Sequence, residues 1–263
     1  SKARGATFKQ ISKKDIHSLC IYLPPLDEQR RIAEKLDLAC KMRSLAAIRK
    51  AKLKKLEASL FFKLFGDPLI NTKGWNQKKL KEIAILKTGN TPSRVKENYF
   101  GNHIEWIKSD NLNNKGDYPS LAKEMLSKEG MKVGRIAKKD SILVTCIAGS
   151  PSCIGNSCIL DREVAFNQQI NSIEVISEEP FFIYSQIKLY KKLIQNASNN
   201  SMKGMVNKSK FGEIKLIIPP IDIQRKFSKQ ALINKKILSR IDLMQNKVDE
   251  FNKSLQFKLI NNI

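Results

Sequence analysis

One stretch of this chain is written twice. Adding 195 to each number aligns Pro24-Pro25 with Pro219-Pro220, Asp27 with Asp222, Gln29-Arg30 with Gln224-Arg225 and Lys41 with Lys236. The match continues through Ser44 and Ser239, Ser59-Leu60 and Ser254-Leu255, and Phe62-Lys63-Leu64 and Phe257-Lys258-Leu259, with no gap. A repeat at a fixed offset narrows the folds open to a chain, because both copies must build the same element. The alternative, two unrelated amphipathic helices, leaves the gap-free match unexplained.

The repeated element reads as a long helix. Proline fits a helix start, where its missing N–H has no partner to lose, and Asp27, Glu28 and Asp222 suit the positive N-terminus. Neither copy then contains Pro or Gly until Gly66 in the first and the end of the sequence in the second. In the second copy Ile237, Ile241, Met244, Val248, Phe251 and Leu255 are spaced 4, 3, 4, 3, 4, the pattern of a coiled-coil seam. The first copy offers Met42, Ala46, Leu53, Leu56 and Leu60 at matching places, with Arg49 as the break. Two helices of ~37 residues, each about 55 Å long at ~1.5 Å per residue, are expected to pack as a rod or spacer. Each apolar side chain buried there contributes about 1.5–3 kcal/mol. Arg30, Arg31 and the basic run Lys50–Lys55 fall outside that seam, Leu53 excepted, where they suit a DNA backbone or a partner subunit.

Between the copies the pattern is mixed, and the predicted class is α+β. Gly66-Asp67-Pro68 ends the first helix. A short amphipathic piece (WNQKKLKEIAIL), a turn (TGNTPSR), a strand (HIEWIK) and a loop (SDNLNNKGDYPS) follow. Next come a helix near Leu121–Gly130, strands SILVTCIA, NSCIL and NSIEVI, one helix over FFIYSQIKLYKKLIQN, a polar loop and a strand EIKLII. The predicted domains are a tail at 1–23, a spacer helix at 24–66, an α/β domain at 67–218 and a second spacer helix at 219–263.

Charge decides the partner class. With 48 Lys and Arg against 25 Asp and Glu, the net charge is +23, which repels itself unless a polyanion or acidic partner is present. Nucleic acid is the leading candidate, the alternative being a basic surface that serves solubility alone. The polar loops carry matching chemistry in Thr91, Ser93, Arg94 and Lys96, Lys108, Asn111 and Asn113, Gln168, and Lys203, Asn207 and Lys208. Amides can bond adenine in two places, and Arg or Lys can reach guanine or phosphate. The plainer reading is that Asn, Ser and Lys fill turns. Trp106, within a strand, reads as core rather than as a stacking platform.

Catalytic motifs fail one after another. His17 and His103 stand far apart with no Cys or acidic cluster, so no metal site and no catalytic residue is assigned. GSPSCIGNS has five residues between its glycines and Asn156 where a phosphate loop needs Lys. The Pro-Pro pairs read Leu-Pro-Pro-Leu and Ile-Pro-Pro-Ile, without the amide or acid and the aromatic of amino-methyltransferases. No apolar run reaches the ~20 residues of a membrane span, and SKARGATFKQ is not a signal peptide, so a soluble cytoplasmic protein is expected. Five cysteines without a C-x-x-C pair (Cys20, Cys40, Cys146, Cys153, Cys158), most in apolar surroundings, read as free buried thiols.

Taken in order, YLPPLDEQRRIAEKLD, FGDP, GW…LKEIAILKTGNTPS, YFGNHIEWIKSDNL, KKDSILVTCIAGS…IGNSCIL, AFNQQINSIEV and IIPPIDIQRK resemble the specificity subunit of bacterial type I restriction-modification enzymes. The resemblance covers nearly the whole chain. It implies a noncatalytic reader of double-stranded DNA, in which each recognition domain reads one half of a split target and paired helices set the spacing. It also implies methyltransferase subunits that bind S-adenosylmethionine and a restriction or translocase subunit that uses ATP and Mg, with no cofactor on this chain. One departure stands out: there is a single complete recognition domain, and residues before Pro24 resemble the segment before Pro219. The chain therefore reads as a truncated form, a cleaved product or a natural half-subunit that pairs with a second copy. The recognition half of a fused restriction-methyltransferase (type IIG-like) and a pure coiled-coil scaffold remain as alternatives.

Overall fold

The computed structural model describes residues 12–18, 23–113, 116–198 and 204–261. Most of the tail at 1–23 therefore lies outside the described residues, as do Cys20 and Lys203. Two long helices dominate, Leu26–Phe65 with 40 residues and Ile221–Asn261 with 41. Each begins directly after its Pro-Pro pair. The Pro25 carbonyl accepts from the Glu28 amide at 2.9 Å, and the Pro220 carbonyl accepts from the Ile223 amide at 3.0 Å. Proline can give its carbonyl to the first turn although it has no N–H to offer. Gly66 closes the first helix at φ +76, and a Cβ there would lie 2.2 Å from the Thr72 hydroxyl oxygen.

The repeat reaches further back than the Pro-Pro pairs. A short helix at Lys13–His17, capped by the Ser12 hydroxyl, has its counterpart 195 residues on in Lys208–Gly212, capped by the Asn207 side chain. Both caps accept a hydrogen bond from the amide three residues later, satisfying a donor that the helix cannot.

Of the described residues, those within 1–55 and 234–263 make one compact unit, and those within 56–233 a second. These limits differ from the helix ends chosen as boundaries above, because the ends of both helices nearest the central domain belong to its core. In the first unit the helices run antiparallel. Arg43 donates to Asp249 at 2.6 Å, and Lys50 reaches both Asp242 and the Gln245 side-chain oxygen. Lys50 and Gln245 are equivalent positions of the repeat, so the two copies meet head to tail.

This pairing corrects the predicted seam. Met42, Ile237, Met244 and Phe251 stand exposed, Met244 at 65 %, as does Leu56 in the second unit. Ala46, Leu53, Ile241 and Val248 are partly buried. Leu60 packs on the core of the second unit, and the Leu255 side chain lies outside the described residues. The shielded positions are instead Ala39, Ala46, Lys50 and Leu53 facing the set Asn234, Leu238, Ile241, Gln245, Val248 and Asn252. The heptad spacing is right but half of its positions are one residue off. An apolar stripe is wider than the line along which a helix meets its neighbour, and Lys50 can occupy that line with its methylenes while its ammonium reaches Asp242. Lys50 is thus a seam residue and not one free to face DNA.

The second unit is built on two main sheets, with two smaller antiparallel pairs beside them, Gln77–Lys79 with Lys215–Ile217 and Ile147–Ala148 with Gly204–Met205. One sheet has four antiparallel strands in the order Ala84–Thr88, Ile170–Val175, Ile142–Thr145, Ser157–Ile159. The other orders Phe100–Gly101, Met125–Leu126, Ile104–Ile107, Val164–Phe166 and Ile136–Ala137, with Ile104–Ile107 and Val164–Phe166 parallel. Helix Pro180–Leu189 buries Phe181, Phe182, Ile183, Tyr184 and Ile187. Phe182 meets Phe61, Phe65 and Phe227 with ring centroids 4.8–6.4 Å apart. Such clusters of rings are worth more than their buried area alone. Among the described residues no helix is long and apolar enough to cross a membrane.

Several local expectations change. The helix placed near Leu121–Gly130 is instead strand Met125–Leu126, taken between two neighbouring strands, followed by helix Lys128–Val133 from a Ser127 cap. The single helix over FFIYSQIKLYKKLIQN breaks at Tyr190 and resumes at Lys192–Gln195. The piece from Trp75 divides into strand Gln77–Lys79, a turn of helix and strand Ala84–Thr88. Strand Val164–Phe166 has no sequence signal beyond three apolar residues. Cys146 and Cys158 are buried, but Cys153 is only partly so and Cys40 is exposed, because it lies on the outer face of the first helix.

Candidate nucleic-acid interface

Strand register gathers the polar loops at one end of the second unit. Thr88, the last residue of its strand, pairs with Asn171 near the start of Ile170–Val175. Thr145 pairs with Ile170, and Val144 with Ser157. Phe166 pairs with Ile107 where both parallel strands end. The segments 89–96, 108–113, 146–156 and 167–169 all leave from this end.

Hydrogen bonds join them. The Thr91 hydroxyl donates to the Gln168 side-chain oxygen, and the Ser109 hydroxyl donates to Gln169 at 2.9 Å. Asn167 also donates to Gln169, at 3.0 Å. The Asn156 amide donates to Asn113, and Lys191 donates to Asn156 and to the Ser152 carbonyl. Partial burial holds the Lys191 ammonium below its usual range. The result is a surface of amides and hydroxyls with cations set among them, able to donate and accept along the edge of a base and to offset phosphate charge.

Loop 89–96 is fixed rather than free-hanging. Gly89 lies so close to the next segment that a Cβ would come 2.1 Å from the Asn167 carbonyl oxygen. Asn90 donates through its side chain to Val133 and accepts from the Arg135 amide, both at 2.8 Å, while its carbonyl accepts from the Trp106 indole. Pro92 is buried. Thr91, Ser93, Arg94 and Lys96 are exposed beside it.

Beyond that loop lies a compact charged group. Glu124 accepts from Lys108 and, at 2.7 Å, from Arg94. Those bonds, with Lys108 first, hold the Glu124 carboxyl below its ordinary range. The Arg94 guanidinium lies 5.0 Å from the Phe100 ring centroid and 5.7 Å from that of Trp106, and the Lys108 ammonium lies 4.9 Å from the Trp106 centroid. Trp106 is buried, as expected, and also presents a face to both cations. Nearby, burial pushes the Glu105 carboxyl up, but bonds from Arg162 and the Ala122 amide leave it below its usual value.

Asn111 is a correction. It is 8 % exposed; its oxygen accepts from the Lys108 amide at 2.9 Å and its amide donates to Ser120 and Leu121. It spends its bonding capacity closing its own loop and has none to show a base. Asn113 and Gln168 are exposed within the cluster and Lys108 is half-buried at its edge. Asn207 and Lys208 instead begin the helix Lys208–Gly212, which packs beside strand Ala84–Thr88. Sequence reasoning passed over Asn90, Ser109, Glu124, Asn156 and Lys191. Asn90, inside the turn signal TGNTPS, and Ser109, inside the loop SDNLNNKGDYPS, carried a local hint. Burial lifts the Cys146 and Cys158 thiols to about 12, which keeps both protonated and unreactive.

Comparison with known proteins matches this architecture. Among curated relatives, the HindI specificity subunit of Haemophilus influenzae, a type I restriction enzyme component, is 28% identical over 166 residues, 61% of this chain and 35% of that protein. The MjaIX specificity subunit of Methanocaldococcus jannaschii is 27% identical over 163 residues, 59% of this chain and 37% of that one. The chain thus spans little more than a third of the length of these relatives. Among solved structures, the type I system S subunit from M. genitalium aligns over 98% of this chain and 67% of that one, with TM-score 0.65 and 18% identity. The HsdS subunit from Thermoanaerobacter tengcongensis covers 98% and 64%, with TM-score 0.55 and 17% identity. These two likenesses show a shared fold. A family model, the Type I restriction modification DNA specificity domain, matches residues 1–58 and 72–253, most of the sequence. The chain therefore belongs to the family of type I restriction-modification DNA specificity domains.

Proposed function

We propose that this chain is a DNA reader of a type I restriction-modification assembly, recognising one half of a split target with the 56–233 unit. The observation that carries the reading is the convergence of four polar loops at one end of the sheets, in a chain of net charge +23. Thr91, Ser93, Arg94, Lys96, Asn113 and Gln168 are its contact residues, Lys108 braces Glu124 at their edge, and Lys208 adds charge at a separate helix start that Asn207 caps. The antiparallel helices serve as the spacer and as the dock for methyltransferase and restriction subunits, which bring S-adenosylmethionine and ATP with Mg. A second copy, joined through the helices, would make the split target symmetric.

Salt dependence tests the reading. A protein that neutralises several phosphates releases their counterions, so the logarithm of affinity falls linearly with the logarithm of salt. Fluorescence anisotropy of the chain with duplex DNA, alone and with the methyltransferase subunit, is expected to show a steep slope. Affinity that ignores salt, or no binding in either case, would sink the proposal. Adenine methylation mapped on DNA exposed to the reconstituted assembly would give the target, and light scattering would separate monomer from symmetric dimer.

A further inference from the structure

The cations on the proposed DNA surface differ in how tightly they are held. A phosphate contact asks only for charge, which a mobile lysine supplies, whereas reading a base edge asks for donors fixed in a plane. Arg94 meets the second demand. Its guanidinium rests against the Phe100 and Trp106 rings, one nitrogen is bound at 2.7 Å by Glu124, and the side chain remains 59% exposed. With five N–H donors on a planar group, an arginine held at one corner keeps others to present outward. Its loop is pinned by Asn90 and the buried Pro92, and Thr91 and Gln168 stand together beside it.

Glu124 is itself anchored. Its backbone carbonyl accepts from the Trp106 amide at 3.1 Å, and its carboxylate also takes Lys108. Lys108, only 31% exposed along its side chain, braces this carboxylate rather than reaching outward. A charged carboxylate at that spot also repels an approaching phosphodiester. It thereby discourages the backbone contact that a free arginine would make, and leaves the base edge as the favourable partner.

We propose that Arg94 reads a guanine through its O6 and N7 in the major groove, and that Glu124 is the positioning residue that holds it for that contact. The proposal rests on the DNA-reading function above. It assigns one base preference to one side chain, and it separates Arg94 from Lys108 and Lys96, which serve as brace and phosphate contact.

The test is selection of bound sequences from a random duplex pool by the full chain and by Arg94→Lys, Arg94→Ala and Glu124→Gln variants, with thermal melting to establish that each folds. The wild type is expected to enrich a motif containing an invariant guanine. Both Arg94 variants are expected to lose preference at that one position by about tenfold, the size of one good bidentate contact, and to keep the rest of the motif. Glu124→Gln is expected to lose the same preference while binding random duplex more tightly and with a steeper salt slope, because the one negative charge between its two cations is gone. A merely structural Glu124 would instead weaken binding to every sequence alike and lower the melting temperature. If Arg94→Lys and Glu124→Gln enrich the wild-type motif unchanged, the inference is overturned while the DNA-reading function stands. If the wild type binds duplex and enriches no motif, both fall.

Discussion

The two copies of the repeat start alike and end up in different surroundings. In the second copy Gln224 is fully buried. Its amide donates to the Pro219 carbonyl at 2.7 Å and to Glu178 at 2.8 Å, and its oxygen accepts from the Glu179 backbone at 3.1 Å. In the first copy Gln29 donates to the Pro24 carbonyl, also at 2.7 Å, and is only partly buried. Phe227, Ser228 and Ala231 lie in the core of the second unit, whereas Ala33 is exposed, Ile32 and Leu36 are half-buried, and Leu26 and Leu38 are each 60 % exposed. The bond from glutamine back to the Pro-Pro carbonyl therefore belongs to the motif itself. Everything beyond it is contributed by the sheet domain.

The largest test of that contrast is a pair of truncations at equivalent positions. Phe227→Ala removes a ring packed against Phe61 and Phe65 and should cost about 3–5 kcal/mol. Ile32→Ala should cost under about 1 kcal/mol, and denaturant titration followed by circular dichroism reads both. Equal losses would mean that the first copy is as enclosed as the second. Next in size, Gln224→Ala leaves the Glu179 amide without its acceptor and takes one of the donors from the Glu178 carboxylate, which keeps Lys78, for a loss of about 2 kcal/mol, against about 0.5 kcal/mol or less for Gln29→Ala. Smaller again is Arg43→Ala, which breaks a half-exposed pair with Asp249 and should shift stability by less than about 1 kcal/mol, and by less still in high salt.

Acid should produce the smallest effect, and it should act on the sheet domain. Hydrogen bonds from Lys79 and Lys81 lower the Glu213 carboxyl from 4.5 to about 2. A folded value below the unfolded one means that this contribution is complete above pH 4.5 and is lost as pH falls towards about 2. Glu213→Gln is expected to leave a shallower loss of thermal stability between neutral pH and about pH 3 than the wild type shows. An identical pH profile would show that the exposed carboxylate is screened into irrelevance.

Much of the architecture could be read from letters alone. A gap-free repeat beginning in Pro-Pro and running without breakers can only be two long helices, and the strands Ile104–Ile107, Ile142–Thr145 and Ile170–Val175 were visible as apolar runs between turn signals. The seam was half legible. Ala46, Leu53, Ile241 and Val248 have the right period, but the alternate positions went to Met42 and Met244 because hydrophobicity alone cannot say that Lys50 and Gln245 face inward. The candidate surface was legible as loops and illegible as a network. Asn111 looked like Asn113 until its bonds to Ser120 and Leu121 were seen, and nothing in the neighbours of Glu124 pointed to Arg94, 30 residues away.

Helix length, the positions of the helix starts, the repeat and the cationic character were settled by sequence, since each depends on local backbone preference or on a sum of charges. Which copy is buried, which helix positions face each other and which loops share one surface were settled only by tertiary structure. Those outcomes depend on contacts between residues far apart in the chain, and a short-range pattern carries no information about the partner a side chain will meet.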